Sequence, residues 1–324
     1  MVKEPVFSTK PILVTGSHRS GTTWVGKILS TAPRTVYIGE PFNPLHRPGI
    51  CKAEFPLWYT LVQPKIETSI YEAFSEMLDF RYGLGRELSA LRSIKDSVRM
   101  LRDAFWFFRA RAIGNYRAIL KDPIALFSTK WLVSQFDAQA LILIRHPAAF
   151  VSSLKRVSWK ISFQNFLKQP VLMDTYLRPF RAEIERAAAN PPDLVTRGAL
   201  LWKILYSVVD TELSGLSQVR LVRHEDLSLD PVSGFKDIFR WANLPFTDRV
   251  ARKIQAYSNT GNRGAARGDR VFELKRDSAA TINIWKQKLT SEEIKTVFRI
   301  TSPLLELYYP DMSPEKSIKQ GDDS

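Results

Sequence analysis

Eight consecutive residues, Gly16-Ser17-His18-Arg19-Ser20-Gly21-Thr22-Thr23, carry the densest chemistry in the sequence. Two glycines bound a run of hydroxyls and one arginine, and Trp24, Val25, Ile28 and Leu29 follow at helical spacing. A glycine-bounded loop that opens a helix presents backbone N–H groups, and the positive end of the helix dipole, to a phosphate-like anion. Gly16, Gly21 and Thr23 fit the spacing G-x-x-x-x-G-K-[ST], but Thr22 stands where a triphosphate-binding loop needs its lysine. Arg19 supplies positive charge from another place in the loop. The expected ligand is an anion other than Mg-ATP; a P-loop of a different kind is the alternative.

A second anion position is written further along. Arg145 closes the apolar run Ala140-Leu141-Ile142-Leu143-Ile144, and Ser153 lies in the helix that Pro147 opens. A guanidinium grips phosphate through a planar fork, and a hydroxyl on the adjoining helix completes such a site. Glu40, in Gly39-Glu40-Pro41, is a candidate general base, since a carboxylate desolvated by substrate can accept a proton. A fixed salt bridge with Arg19 or a neighbouring lysine is the alternative for Glu40. His46 is the second candidate base. Lys121, in Lys121-Asp122-Pro123, is a candidate cation beside a transferring group, with a surface ion pair to Asp122 or another acid as the alternative.

These residues need a scaffold. Pro11–Thr15, Thr35–Ile38, Ala140–Ile144 and Val219–Arg223 read as strands, with Ala118-Ile119-Leu120 leading into Lys121. The run 140–144 is apolar throughout, as expected of a strand buried on both faces. Pro147 fits the first turn of a helix reaching Arg156. Residues 81–117 read as one amphipathic helix, with Leu88, Leu91, Val98, Leu101, Phe105 and Phe108 on the packed face. Arg92, Lys95, Arg99 and Arg102 lie on the outer face. That outer face is expected to be solvated; a membrane or polyanion contact is its second reading. A C-terminal helix is expected over 291–308, a mobile basic loop over 258–270 and a disordered tail over 311–324. The fold expected is a single α/β, P-loop-like, three-layer domain over residues 1–310. Its central parallel sheet has about five strands, with helices on both faces.

The run Pro-Ile-Leu-Val-Thr-Gly-Ser-His-Arg-Ser-Gly-Thr-Thr-Trp (11–24) resembles the 5′-phosphosulfate loop of sulfotransferases that use 3′-phosphoadenosine 5′-phosphosulfate. Its Arg-Ser-Gly-Thr-Thr form is closer to the carbohydrate and tyrosylprotein branches than to the cytosolic small-molecule branch. Arg145 and Ser153 resemble that family's 3′-phosphate site. Lys121-Asp122-Pro123, His224-Glu225-Asp226-Leu227, and Arg276-Asp277-Ser278 with Trp285-Lys286 are similar to further family segments. The cytosolic branch keeps a catalytic His in a Thr-His segment; Thr129-Lys130 stands there instead, so that assignment does not carry over.

The resemblance implies a co-substrate held by Ser17, His18, Arg19, Ser20, Gly21, Thr22, Thr23, Arg145, Ser153, His224, Ser278 and Lys286. Glu40, Lys121 and Arg19 would then take the catalytic roles, and no metal is implied. The implied reaction is sulfuryl transfer to a hydroxyl or an amine by in-line displacement. A kinase-like phosphotransferase and a non-catalytic nucleotide- or polyanion-binding module are the competing readings.

Composition bounds the rest. With 47 Lys and Arg against 33 Asp and Glu, the net charge is +14, which favours an anionic partner without naming one. Aromatic residues do not interleave with the basic ones as a single-strand stacking platform requires, so nucleic acid is not expected. The single cysteine, Cys51, excludes an intramolecular disulfide and a cysteine-based zinc cluster. The four histidines form no i, i+4 pair for a metal. The N-terminal residues lack a signal-peptide core and no apolar run has membrane-spanning length, so a cytoplasmic protein is expected. The expected acceptor is a small molecule or a carbohydrate, acidic ones included, lodged among loops 41–60, 158–180 and 258–272.

Overall fold

The computed structural model describes residues 8–258 and 282–311. Ser278, the Arg276-Asp277 pair, nearly all of the loop expected to be mobile and the tail beyond Asp311 lie outside them. The chain runs β1 (Ile12–Gly16), α1 (Thr22–Leu29), β2 (Thr35–Gly39), α2 (Pro64–Leu78), α3 (Leu84–Ser89), α4 (Ile94–Ile113) and β3 (Arg117–Lys121). There follow α5 (Thr129–Phe136), β4 (Gln139–Ile144), α6 (Pro147–Arg156) and the short helices α7 (Gln164–Leu167), α8 (Pro170–Thr175) and α9 (Arg181–Ala189). After α10 (Leu194–Val208) and β5 (Val219–Arg223) come α11 (His224–Leu229), α12 (Pro231–Trp241), α13 (Asp248–Ser258), α14 (Trp285–Lys288), α15 (Ser291–Thr301) and α16 (Leu304–Tyr308).

All five strands are parallel, in the order β2-β3-β1-β4-β5. The expected parallel α/β sheet with helices on both faces is therefore present. Successive side chains of a strand point to opposite faces, and β1 shows the consequence. Ile12 and Val14 join Ile119, Leu141 and Leu143 under α1, α12 and α13, while Leu13 joins Leu120, Ile142 and the larger core under α2, α5, α6 and α10. Each such side chain, fully buried, contributes about 1.5–3 kcal/mol. Because all five strands are parallel, their carboxyl ends lie along one edge of the sheet. In doubly wound sheets that edge is where ligands bind.

Two expectations fail. The single helix over 81–117 is two, α3 and α4, and its last residue, Arg117, opens β3. Ser93 ends the break by capping α4, accepting from the Asp96 N–H. The stripe assigned to the core is also the wrong one. Met100, Ala104, Phe107 and Ala110 are buried, whereas Leu88, Val98, Leu101, Phe105 and Phe108 are exposed. Near the C-terminus, α15 starts in a capping box between Thr290 and Glu293 and stops at Thr301, before Pro303. A proline there removes a backbone donor and disfavours helix at the preceding residue, so 291–308 divides into α15 and α16.

Candidate active site

The loop between β1 and α1 is shaped by two positions that exclude a side chain. Gly16 holds φ +136°, and a Cβ there would lie 2.3 Å from the Leu143 carbonyl oxygen. Gly21 holds φ +98°, and its Cβ would lie 2.6 Å from His224 Nδ1. Gly21 is also the N-cap of α1, so the first turn has neither a side-chain cap nor an acidic residue. Those N–H groups and the helix dipole are left to an anion. Ser20 Oγ donates to the Ser17 carbonyl at 2.6 Å, and Ser17 N–H donates to Tyr206 OH at 3.2 Å. The Tyr206 hydroxyl in turn donates to the Leu143 carbonyl at 2.8 Å. Ser17 and Ser20 thus hold the loop's shape. Tyr206, and Trp202 one turn before it on α10, were invisible to motif reading; Trp202 Nε1 donates to the Arg145 carbonyl at 2.8 Å. Together they tie the loop to the end of β4.

Arg19, Arg145 and Ser153 come together, with Arg19 as the link between the other two. Arg19 Nε donates to Ser153 Oγ at 3.1 Å, and Arg145 Nη1 donates to the Arg19 carbonyl at 2.7 Å. Arg145 Nε is buried with no hydrogen-bond partner among the described residues. Burial pushes the Arg145 guanidinium below its usual range, opposed by the nearby Glu225 carboxylate. Glu225 accepts from the His146 N–H at 3.0 Å and from Tyr309 OH at 2.7 Å, and burial raises its own pKa. In His224-Glu225-Asp226-Leu227 the glutamate therefore serves the Arg145 strand end. His224 packs edge-on to Trp24 at 5.9 Å, in the second core with Phe235. Lys286 is exposed; its Nζ sits 5.7 Å from the Trp285 ring, and Trp285 stacks on His146 at 4.9 Å.

Glu40 and Lys121 face each other. Register sets Gly39 beside Lys121 across β2 and β3, and Lys121 Nζ pairs directly with Glu40 Oε1. The lysine partner anticipated as the alternative for Glu40 is thus Lys121. The acid that Lys121 pairs with is Glu40 rather than Asp122, and the lysine is buried, not at the surface. Glu40 Oε2 also accepts from Asn43 Nδ2 at 2.7 Å, and the Glu40 backbone has a left-handed φ of +52°. A non-glycine residue held there stores roughly 1–3 kcal/mol, a strain that collects at functional loops. Asp122 is fully buried and accepts from the Phe42 and Ile124 N–H groups at 2.7 and 3.0 Å. Burial raises its pKa to about 7. It braces the loop that carries Glu40. His46 has one ring nitrogen 2.7 Å from the Asn43 carbonyl and the other 3.1 Å from that of Cys51, so backbone occupies both. Lys130, where the Thr-His segment would place a histidine, pairs with Glu212 at 2.5 Å.

His18 points away from the anion loop into an aromatic cage. It stacks on Trp159 at 4.8 Å, meets Trp58 and Phe150 edge-on, and has Nδ1 2.7 Å from Tyr59 OH. Burial, with Arg19 adding to it, lowers its pKa to about 3, so the ring is neutral. A cavity of about 210 Å³, lined by His18, Trp58, Tyr59, Trp159 and Phe163 among others, opens beside the loop.

A model of the sulfotransferase family matches residues 11–248. The chain belongs to that family. Over 107 residues it is 28% identical to carbohydrate sulfotransferase 7 of Mus musculus, covering 31% of this chain and 21% of that protein. The Rattus norvegicus protein of the same name is 29% identical over 101 residues, 30% of this chain and 20% of that one. The chain thus matches about a fifth of the length of these curated relatives. Among solved structures, the sulfotransferase domain from the curacin biosynthetic pathway shares 12% identity at TM-score 0.47, over 92% of this chain and 98% of that one. Mouse sulfotransferase SULT7A1 complexed with PAP shares 12% identity at TM-score 0.40, over 94% and 90%. Within this family member no described helix is long and apolar enough to cross a membrane, and no described residues form a metal-holding group.

Proposed function

We propose that this sulfotransferase moves a sulfuryl group from 3′-phosphoadenosine 5′-phosphosulfate to a carbohydrate hydroxyl by in-line displacement. The observation that carries the reading is the convergence of Arg19, Arg145 and Ser153 beside the uncapped start of α1. Two anion positions at neighbouring strand ends suit a bisphosphate better than a triphosphate. The buried, unpartnered Arg145 Nε and the two glycines that leave no room for a Cβ fit such a ligand. When bound, the co-substrate supplies the sulfuryl group and a phosphate leaving group.

The chain's own residues do the rest. The loop N–H groups and Arg19 would hold the 5′ end, and Arg145 with Ser153 the 3′-phosphate; charge-assisted bonds of this kind contribute about 1.5–3 kcal/mol each. An arriving polyanion draws the Lys121 ammonium from Glu40 toward itself. That ammonium then balances charge on the departing phosphate oxygen, and the freed Glu40 carboxylate takes the acceptor hydroxyl proton as the new S–O bond forms. The aromatic cavity at Trp58 and Trp159 suits the apolar face of a sugar ring, and the likeness to carbohydrate sulfotransferase 7 supports that acceptor class. A cytoplasmic setting belongs to the same proposal.

Thermal shift with 3′-phosphoadenosine 5′-phosphate, against Mg-ATP and against an oligonucleotide, tests the reading. A ligand at ~100 times its Kd stabilises by about 2.7 kcal/mol. The bisphosphate alone is expected to raise Tm; a response to Mg-ATP with none to the bisphosphate would sink the proposal. Bisphosphate binding without sulfuryl transfer to any carbohydrate acceptor would leave a nucleotide-binding module.

A further inference from the structure

The α4 helix breaks the ordinary rule of burial. Ile94, Val98, Leu101, Phe105 and Phe108 are exposed, Ile94 by 85% and Leu101 by 65%. Their spacing of four, three, four and three residues sets them in one stripe, about 21 Å long at 1.5 Å per residue. The helix keeps its other stripe, Met100, Ala104, Phe107 and Ala110, for the core. An apolar stripe left uncovered on a packed helix marks a surface that something else covers.

A basic cavity adjoins it. About 520 Å³ in volume, it lies between α4 and the N-terminal half of β2, and its lining includes Lys27, Arg34, Arg102, Arg109, Arg249 and Trp106. Asp103 is the one carboxylate among its described lining residues, and it is engaged by Arg47 at 2.6 Å and by Arg102 at 2.8 Å. Lys27 sits 3.5 Å over the Tyr37 ring. Burial first, then the charge of Arg102, lowers its pKa to about 8. With Lys27, Arg34, Arg102, Arg109 and Arg249 against the single carboxylate of Asp103, the described lining of the cavity is net positive.

We propose that α4 and this cavity form a docking face for an anionic membrane surface. The apolar stripe enters the acyl boundary, and the cavity takes phosphorylated or carboxylated lipid headgroups. An interfacial helix shows this pattern: large apolar side chains on one face, arginine and lysine beside it, and tryptophan at the border. Charge chooses the occupant. A two-fold contact between copies of the chain would press the same cluster of cations against itself, whereas an anionic bilayer satisfies the stripe and the cations together. The proposal is independent of the reaction assigned above.

Co-sedimentation of the full chain with vesicles tests it, comparing neutral phosphatidylcholine with a mixture holding about 30% phosphatidylserine. Binding is expected to the anionic vesicles and to fall steeply with added salt. Each cation near such a surface is worth roughly a factor of five, so Arg102→Gln with Arg109→Gln should weaken binding by roughly 25-fold. Leu101→Glu with Phe105→Glu should weaken it at least as much. Both double variants should keep the wild-type circular dichroism and the bisphosphate thermal shift. Equal binding to neutral vesicles, wild-type binding by the Leu101→Glu/Phe105→Glu variant, or a dimer that this variant dissolves without any vesicle binding would each overturn the proposal.

Discussion

Two regions of this molecule invert the usual rule of burial, in opposite directions. At the carboxyl edge of the sheet polar groups are buried: Ser17, Ser20, Lys121, Asp122, Glu225 and the Arg145 Nε. Along α4 large apolar groups are exposed. The first is tolerated because many of the buried donors and acceptors answer one another, through Tyr206, Ser153, Phe42 N–H and Tyr309. Arg145 Nε, Thr15 Oγ1, His18 Nε2 and His146 Nε2 are among the buried atoms without a hydrogen-bond partner among the described residues. The second is tolerated because α4 is anchored by its other stripe. A buried polar group without a partner costs more than an exposed apolar one. The site is therefore built with little tolerance for change, and the α4 face is not.

The largest test of that difference is Glu40→Gln. It should lower sulfuryl transfer by roughly 10²–10⁴-fold, the range for a general base, while leaving bisphosphate affinity intact. Unchanged turnover would remove Glu40 from the mechanism. Next in size is the contrast within α4 itself. Phe107→Ala, in the core, should cost about 3–5 kcal/mol in urea unfolding. Phe108→Ala, one residue on and half exposed, should stay below about 1 kcal/mol; equal costs would mean that the exposed stripe is packed after all. Smaller again, Arg145→Gln should weaken the bisphosphate by about 10–100-fold, measured by calorimetry, with little effect on Mg-ATP.

The pH dependence of stability probes the same buried edge. His18 and His146 are held neutral by burial, each with a pKa lowered to about 3. Unfolded, they would take up protons near pH 6.5. Their contribution is therefore complete above about pH 6.5 and is lost as pH falls toward about 3. Asp122 acts in the other sense. Its pKa is raised to about 7 by burial, so its contribution is complete below about pH 4 and is lost as pH rises through about 7. The Tm of His146→Gln relative to wild type should therefore improve on going from pH 7 to pH 5, and that of Asp122→Asn should worsen. Parallel profiles would show that these groups are solvated. The smallest effect expected is Val98→Ser on α4, within about 0.5 kcal/mol in urea unfolding.

The parallel sheet was legible because the apolar runs 12–14 and 140–144 are short and lie just before a glycine, Gly16, and an arginine, Arg145. The anion loop was legible because its glycines answer a backbone need that leaves a mark in the sequence. The packed stripe of α4 was not. Leu101, Phe105 and Phe108 recur at helical spacing, as do Met100, Ala104 and Phe107, and a period carries no information about which apolar face meets the core. Trp202 and Tyr206 were hidden for a related reason, since a polar atom on an aromatic ring inside an apolar helix leaves no pattern.

What the sequence determined by itself was local: the loop from Gly16 to Thr23, the arginine that ends β4, the serine on the helix after it, and a charge that asks for anions. These follow from neighbours in the chain and from backbone geometry, which short segments encode. The tertiary structure decided which distant groups meet. Glu40 and Lys121 form one pair only because β2 lies beside β3 in register. His18 turns from its own loop into the cage of Trp58 and Trp159, where its ring is buried among aromatic side chains. Packing, acting over separations the sequence does not record, set both.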